Sequence, residues 1–280
     1  MPDFLQRDQA PLTADQWTTL DRVVVGTARS MLVGRRVISV VGPFGAGVEA
    51  LPSDTLSGMG MGRIDLLGNE EGDAIGLEAR RYLPVPLLYK DFWLHWRDLE
   101  ASDQLGLPFD TSRAAAAAEA VAQAEDALVL DGNPALGLAG LRNAEGHQSI
   151  PLGDWGEEGQ GFAAVVNAVR HMTDRGFPGP YALIVSTGLY AQLNRIFGNT
   201  GVLEIEQVEK LARRGVYATS VLPEPAALLL DSGAQNMDLA ISVDLTTAYV
   251  ESANLNHRFR VLESLLLRIH RPDAVCTFEA

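Results

Sequence analysis

The chain opens with Pro2-Asp3-Phe4-Leu5-Gln6-Arg7-Asp8-Gln9-Ala10-Pro11-Leu12-Thr13, which places the apolar pair Phe4-Leu5 and two prolines ahead of a helix start. Thr13 and Gln16 have the spacing of a capping box, in which each side chain bonds the other residue's backbone N–H. Trp17, Leu20 and Val24 then recur along one helical face. A short apolar arm before a capped helix is typical of a segment that clamps a neighbouring chain or lines a docking surface.

The next segments predict a strand and a long hairpin. Gly34 is a suitable end for the helix, and residues 36–41 are rich in β-branched side chains, as expected of a strand. Residues 48–73 are rich in glycine and alternate weakly without a helical period, which favours a two-stranded hairpin that projects from the body. Because exposed strand edges pair with other chains unless a partner covers them, the hairpin is a first sign of obligate assembly.

The remainder of the chain predicts a mixture of helices and strands. Residues 82–96 combine prolines with large apolar side chains and are expected to be extended. Helices are predicted over residues 114–130, 162–172, 187–197 and 204–213, and strands over 182–185, 227–231, 239–244 and 259–269. Strands from both halves of the chain are expected to share a sheet, so the predicted fold class is α+β.

The charge balance and the cysteine content limit the classes of partner. The 280-residue chain carries 36 acidic residues against 22 Lys and Arg, a net charge of −14, so its surface repels phosphate backbones and attracts cations. The single cysteine, Cys276, allows no internal disulfide, which suits a reducing cytoplasm. Neither a signal peptide nor a membrane span is expected from the hydropathy pattern. We therefore predict a soluble cytoplasmic protein without nucleic-acid or membrane partners.

The residues that carry chemistry in enzymes do not form a recognisable set here. Five histidines are present, but neither Glu-x-x-His nor His-Glu-x-x-His occurs, so ferritin-type di-iron and zincin sites are excluded at the level of motif. The glycine-rich turn at residues 42–47 lacks the lysine of a phosphate-binding loop. Glu125 and Asp126 point about 100° apart on a helix and favour capping or an ion pair to a neighbouring subunit. The prediction is a protein that is not an enzyme and has neither metal nor cofactor.

The chain resembles the encapsulins, bacterial shell proteins that share the fold of tailed-phage major capsid proteins. The resemblance covers essentially the whole chain and rests on the order and spacing of several segments. These are Phe4-Leu5-x-Arg7-x-x-Ala10-Pro11-Leu12-Thr13, Trp17, Gly34-Arg35-Arg36, Gly42-Pro43-Phe44-Gly45, Glu125-Asp126, Gly140-Leu141 and Gly179-Pro180-Tyr181. Further segments, among them His95-Trp96-Arg97-Asp98 and Gly201-Val202-Leu203-Glu204, are similar to the subgroup found in myxobacterial iron-storage compartments.

The resemblance implies an HK97-like capsid fold and a division of the chain into four parts. Residues 1–47 would form the N-terminal arm, helix and strand, and residues 48–81 the extended E-loop, which lies along a neighbouring subunit. Residues 82–130 and 221–280 would form the peripheral domain, and residues 131–220 the axial domain around the symmetry axes. The implied assembly is an icosahedral homo-oligomer.

The resemblance also implies a function and two sets of site residues. A cargo protein would dock by a C-terminal targeting peptide in a groove on the inner surface of the shell, and iron ions would enter through pores. The cargo would be ferritin-like, for iron oxidation, iron storage and oxidative-stress protection, with a dye-decolourising peroxidase as the alternative. The implied groove residues are Phe4, Leu5, Arg35, Val37, Ile38, Ser39 and Asp244, and the implied pore residues are Gly198, Asn199, Thr200, Gly201 and Val202. Some members hold a flavin on a tryptophan, but the matching position here is Arg97, so no flavin is predicted.

Two other functions remain open from the sequence. A phage-type capsid protein that packages DNA would have the same fold, although the net charge of −14 disfavours a DNA-filled interior. An enzyme that works within a compartment has no supporting motif. For the shell reading, Arg35→Glu is expected to abolish cargo loading while shells still form, and deletion of residues 53–70 is expected to block assembly rather than folding.

Overall fold

The computed structural model describes residues 3–58, 60–67, 69, 72, 74–105, 107–198 and 201–279. The helices are α1 (Ala14–Met31), α2 (Gly34–Val37), α3 (Trp96–Leu105), α4 (Ser112–Asp131), α5 (Gln160–Asp174), α6 (Thr187–Leu193) and α7 (Glu204–Leu211). The strands are β1 (Ser39–Val41), β2 (Ala50–Ser57), β3 (Gly76–Pro84), β4 (Leu87–Leu94), β5 (Gly132–Asn133), β6 (Leu138–Ala139), β7 (Gln148–Pro151), β8 (Tyr181–Ser186), β9 (Val216–Thr219), β10 (Ala227–Asp231), β11 (Met237–Ala253), β12 (Asn256–Ile269) and β13 (Val275–Glu279). None of the helices in these ranges is long and apolar enough to cross a membrane.

The first sheet is built around the long β11–β12 hairpin and has the order β1-β11-β12-β4. Helix α4 packs against β4 and β12, and α1 packs on α4 and β11. Alanines such as Ala114, Ala117 and Ala118 are buried on α4, and their small side chains let the helix lie close to the sheet. Phe259 of β12 stacks on Phe92 and meets the edge of Trp17 from α1, so the predicted amphipathic face of α1 is confirmed as a core face.

The second sheet has the order β7-β13-β10-β8-β9 and is surrounded by α5, α6 and α7. Every residue of β8 and β10 is buried, which is expected of central strands covered on both faces. Two strands of the segment 221–280, β10 and β13, pair with β8 and β7 of the segment 131–220. The predicted boundary between the axial and peripheral parts at residues 220/221 therefore passes through this sheet.

The predicted hairpin is confirmed and is longer than expected. Strands β2 and β3 pair in antiparallel fashion from Ala50↔Pro84 to Ser57↔Gly76, so the second strand lies beyond residue 73, where the predicted segment ends. At the tip, Met61, Ile64 and Leu66 are 98%, 102% and 97% exposed. Residues 59, 68, 70, 71 and 73 of the predicted hairpin lie outside the described residues.

Two predictions about the N-terminal segment are wrong in detail. Gly34 does not end α1; the helix ends at Met31, and Gly34 begins the short helix α2. The strand predicted over residues 36–41 is therefore only Ser39–Val41. The cause is Asp126 on α4, which accepts hydrogen bonds from the backbone N–H groups of Val33 and Gly34 at 2.9–3.1 Å and so caps α2.

The two strands predicted on either side of residues 233–236 belong to different sheets. Ala227–Asp231 lies in the second sheet, whereas the strand predicted over 239–244 is part of Met237–Ala253 in the first. The turn between them therefore passes the chain from one sheet to the other and does not form a hairpin.

Candidate functional site

The N-terminal arm folds back over the first sheet and is held there by Arg7. Its Nε donates to the backbone oxygen of Thr247 at 2.9 Å, and its two Nη atoms donate to the carboxylate of Asp21 at 2.7 and 2.6 Å. The guanidinium also lies over the ring of Trp17, 4.3 Å from its centroid. Arg7 thus joins the arm to α1 and β11 through a bidentate ion pair and a cation–π contact.

The arm forms one wall of an open cavity of about 690 Å³, which we call the arm cavity. Phe4 lines it and is 44% exposed, while Leu5 is buried against Ala248 and Leu262. The remaining walls come from the base of the hairpin and from the β11–β12 pair. The sequence-predicted residues Phe4 and Leu5 are therefore together, one facing the cavity and one anchoring the arm beneath it.

A second cavity, of about 450 Å³, lies between the C-terminal half of α1 and β11, and we call it the helix cavity. Its apolar walls are Val25, Ala28, Leu32 and Leu245, and its charged rim is Arg29, Arg35, Arg36 and Asp244. An apolar trough with a charged rim suits a short extended peptide that presents apolar side chains and a few polar groups.

The predicted groove residues are divided between these places. Arg35 and Asp244 line the helix cavity, whereas Phe4 borders the arm cavity. Val37 and Ile38 are 0% and 3% exposed, so they support this region from the core without presenting side chains to a ligand. Ser39 lies at the start of β1, opposite Asp238 of β11.

Arg35 is the centre of a group of charged side chains that we call the Arg35 junction: Arg35, Glu125, Asp244 and Glu263. Its Nε donates to both carboxylate oxygens of Glu125 at 2.9 Å, its Nη1 to Asp244 at 2.6 Å and its Nη2 to Glu263 at 2.6 Å. The side chains of Glu125 and Glu263 are completely buried, and that of Asp244 is 67% exposed. The junction joins α2, α4, β11 and β12.

The pKa values of two carboxyl groups of the junction are shifted in opposite directions. Burial raises the pKa of Glu263 to about 9, assisted by the nearby carboxyl of Glu125. Burial would also raise the pKa of Asp244, but the hydrogen bond and charge of Arg35 outweigh it, and the pKa is lowered. Beside the junction, burial raises the pKa of Asp126 to about 6 against the opposing effect of its two backbone donors.

The junction corrects one prediction and adds a residue that the sequence reasoning missed. Glu125 and Asp126 were expected to cap or to form an ion pair with a neighbouring subunit; Asp126 does cap α2, whereas the partner of Glu125, Arg35, is in the same chain. Glu263 was not predicted at all. It has the same parity in β12 as the buried Phe259, Val261 and Leu265, so an acid in the inward phase of an alternating strand was the available signal.

Of the predicted pore residues, Gly198, Gly201 and Val202 are described, and they lie beside a well-bonded loop base. Ile196 and Leu203 form a β-bridge, and the N–H of Phe197 donates to the backbone oxygen of Val202 at 2.7 Å. Gly198 and Gly201 have φ of 57° and 72°, the left-handed region that favours glycine. Asn199 and Thr200 lie outside the described residues.

A buried acid fixes this loop to the second sheet's helices. Glu204 is completely buried and accepts a hydrogen bond from the backbone N–H of Phe162 at 2.7 Å, at the start of α5. It also lies 3.5 Å from the guanidinium of Arg195 on the other side of the loop. The loop therefore leaves and re-enters the body at a charged, hydrogen-bonded base.

The described part of the chain holds no group of three or more His, Cys, Asp or Glu side chains arranged to bind a metal ion. Cys276 is buried, and burial raises the pKa of its thiol to about 11, which keeps it in the unreactive protonated form. His95 shares a hydrogen bond with the side chain of Asn256 at 3.0 Å.

The two sheets, the long helix α4 and the projecting hairpin together form a fold of the phage-capsid type. The fold matches that of a virus-like particle from Pyrococcus furiosus with a TM-score of 0.76 and 20% sequence identity, covering 94% of this chain and 99% of that one. It also matches the capsid of the Myoviridae phage XM1 with a TM-score of 0.60 and 15% identity, over 86% and 88% of the two chains. The predicted HK97-like fold is thus confirmed.

The family follows from the sequence comparisons. Residues 2–266 match the family Linocin_M18, described as encapsulating protein for peroxidase. The chain is 46% identical to the type 1 encapsulin shell protein EncA of Myxococcus xanthus, over all of this chain and 97% of the relative. This chain belongs to the encapsulin family and is a shell protein of a capsid-like nanocompartment. Encapsulin shell proteins are structural.

Other relatives are fusions of a shell protein with a second protein. A diheme-cytochrome–encapsulin shell fusion from Kuenenia stuttgartiensis is 41% identical, over 96% of this chain and 74% of that protein. A ferritin-like–encapsulin shell fusion from Pyrococcus furiosus is 24% identical, over 83% of this chain and 62% of that protein.

Proposed function

We propose that this subunit forms an icosahedral compartment in the bacterial cytoplasm and that the compartment holds a ferritin-like cargo protein for iron oxidation and storage. The cargo docks through a C-terminal targeting peptide. The observation that carries the docking proposal is the helix cavity, an apolar trough on α1 with a charged rim. The iron-related cargo is supported by the ferritin-like fusion from Pyrococcus furiosus and by the similarity to the myxobacterial shell protein.

Assembly follows from surfaces that the isolated subunit leaves bare. Met61, Ile64 and Leu66 at the hairpin tip gain about 25 cal/mol for each Å² of apolar surface that a neighbouring subunit covers. A contact of one subunit's hairpin with the next subunit's body is heterologous, and repetition about closed symmetry axes gives a shell. In this arrangement residues 82–130 and 221–280 would form the peripheral part and residues 131–220 the axial part, with β10 and β13 of the peripheral segment completing the second sheet.

Docking of the peptide uses the helix cavity first. Apolar peptide side chains would fill the trough between Val25, Leu32 and Leu245, and Arg35 and Asp244 would bond the peptide backbone or its polar groups. Val37 and Ile38 hold Arg35 in place from below, and the arm with Phe4 offers further apolar surface at the arm cavity. Because one cargo oligomer presents several tails to many subunits, weak single contacts add up to stable loading.

Entry of iron uses the pores and the net charge. The loop at residues 198–202 would line the pore at the five-fold axis. A net charge of −14 per subunit raises the local concentration of cations such as Fe²⁺ relative to anions, and this attraction weakens with salt. The subunit itself would contribute neither catalysis nor a resident cofactor, and it would not bind nucleic acid.

A peroxidase is the second candidate for the cargo. It is favoured by the description of the matching family, encapsulating protein for peroxidase. Both cargo classes would use the same docking surface, so they differ in what is loaded and leave the role of the shell unchanged.

The docking proposal is tested with a fluorescent protein that carries the C-terminal tail of a ferritin-like cargo protein. The shell variant Val25→Glu places a charge in the trough of the helix cavity. The control Val23→Glu makes the same change on the same helix at a residue outside the cavity lining. We expect both variants to form shells and Val25→Glu alone to lose at least tenfold in loaded fluorescence. Equal loading of the two variants would remove the helix cavity from the account.

A further inference from the structure

The Arg35 junction contains more buried carboxyl groups than its single guanidinium can neutralise. Glu125 and Glu263 are both completely buried and both bonded to Arg35. Arg35 also donates to Asp244, whose exposed carboxylate is stabilised by solvent. Glu263 accepts from Arg35 through Oε2 only; its other oxygen, Oε1, is buried and has no donor among the described residues. A buried carboxylate oxygen without a donor is costly, whereas a carboxylic acid would itself be a donor there.

Among the residues that the structure describes, few charged or titratable groups surround Glu263. Helix α2 supplies Arg35, α4 supplies Glu125 and Asp126, and β11 supplies Asp244. Further out, Arg29 of α1 acts on Asp244 and Arg36 acts on Asp126. On β4 the residue opposite Glu263 is the apolar Leu88. Arg35 is therefore the cation bonded to Glu263, and it is shared with a second buried carboxylate.

We propose that Glu263 holds a proton in the folded shell protein, shares it with Glu125, and by losing it at alkaline pH loosens the junction that joins α2 and α4 to the first sheet. In the protonated state the two buried carboxyl groups carry one negative charge, which Arg35 neutralises. When the proton leaves to solvent, two buried negative charges face one guanidinium. The repulsion acts where the N-terminal segment is attached to the body of the subunit.

The electrostatics of the site agree with this geometry. Burial first, and the carboxyl of Glu125 second, raise the pKa of Glu263 from 4.5 to about 9. When the pKa of a carboxyl group is higher in the folded than in the unfolded chain, its contribution to stability is fully present at pH values below the unfolded pKa. This contribution is lost as the pH rises through the folded pKa. Stability is therefore lost between about pH 4.5 and pH 9. In this range the unfolding equilibrium constant rises by up to about tenfold for each pH unit.

The test is the pH dependence of unfolding for assembled wild-type shells and for shells of Glu263→Gln. The amide keeps the shape of a carboxylic acid and its donor, but it cannot ionise. We expect similar stability near pH 4.5, where the loss begins, and from pH 6 to pH 9 a change of about tenfold per unit in the ratio of the two unfolding constants, in favour of the variant. The matched control is Glu251→Gln on β11, which removes a half-exposed carboxylate paired with Arg258 at 3.0 Å. Its ratio to wild type should stay constant over the same range.

A ratio for Glu263→Gln that is independent of pH from 6 to 9 would overturn the proposal. Infrared spectroscopy of the wild-type shell provides a measurement that does not depend on a variant folding. A protonated carboxyl band should be present at pH 7 and should disappear above the pKa of Glu263. Absence of that band at pH 7 would likewise contradict a proton on Glu263.

Discussion

The hairpin β2–β3 exposes apolar side chains to solvent, whereas the Arg35 junction buries charged side chains inside the fold. The hairpin exposes Met61, Ile64 and Leu66 almost completely, and it joins the body at its base, where Arg268 donates to the backbone oxygen of Pro52 at 3.4 Å. The junction buries Glu125 and Glu263 and bonds both to Arg35 of the same chain. In the proposed assembly the hairpin is completed by another subunit, whereas the junction is completed within the fold.

The largest expected effect comes from shortening the hairpin. Replacing residues 58–75 by Asn-Gly joins Ser57 to Gly76, which are already paired, through a turn that suits a two-residue loop. We expect a folded subunit with an unchanged circular dichroism spectrum that no longer forms shells in size-exclusion chromatography. A second variant, with Met61, Ile64 and Leu66 all changed to Ser, separates the loss of apolar contacts from the loss of length.

Intact shells from the shortened chain would show that the hairpin is dispensable. Loss of the folded spectrum would show instead that the hairpin belongs to the subunit's own core. Either outcome would erase the difference between the two regions.

The next effect concerns Arg35 and acts on folding. Arg35→Ala leaves two buried carboxyl groups without their cation, and removal of one partner from a buried pair typically costs about 3–5 kcal/mol. Denaturant unfolding should show this loss before any effect on cargo can be measured. This changes the expectation for Arg35→Glu, since an added negative charge in the junction should impair the fold itself. Wild-type stability for Arg35→Ala would contradict the role of the junction.

The smallest effect is expected for an arginine of the hairpin. Arg80 makes a bidentate pair with Asp54 at 2.7 Å, a geometry as good as that of Arg35, but the two side chains are 49% and 32% exposed. Exposed ion pairs contribute little because water and salt screen them. Arg80→Ala should therefore unfold at the same denaturant concentration as wild type. A destabilisation equal to that of Arg35→Ala would mean that burial does not distinguish the two pairs.

Local patterns in the sequence predicted the elements whose contacts are local. The capping box of Thr13 and Gln16 is present, with the N–H of Thr13 donating to Gln16 Oε1 at 2.9 Å. The helix α4 and the alternating strand β12 were also predicted close to their bounds, because their apolar periodicity is strong. Helix α3 was missed because only Leu99 is buried along it, so no apolar stripe marks it.

Features that depend on distant residues could not be predicted in this way. The helical turn at Gly34–Val37 exists because Asp126, about ninety residues away, caps it. Strands β10 and β13 pair with β8 and β7 from another part of the chain, a choice that local propensity does not encode. At the candidate site, Arg35 and Asp244 were predicted to line one groove, and both line the helix cavity. The burial of Val37 and Ile38 depends on packing that the strand pattern does not specify.

The most direct test of shell assembly through the hairpin is electron microscopy of the purified chain, with its mass in solution measured by analytical ultracentrifugation. A shell subunit whose hairpin is completed by its neighbours should give closed, hollow particles of uniform size and very little free subunit. Discrete monomers at micromolar concentration, with the hairpin tip exposed as in the isolated chain, would contradict the account.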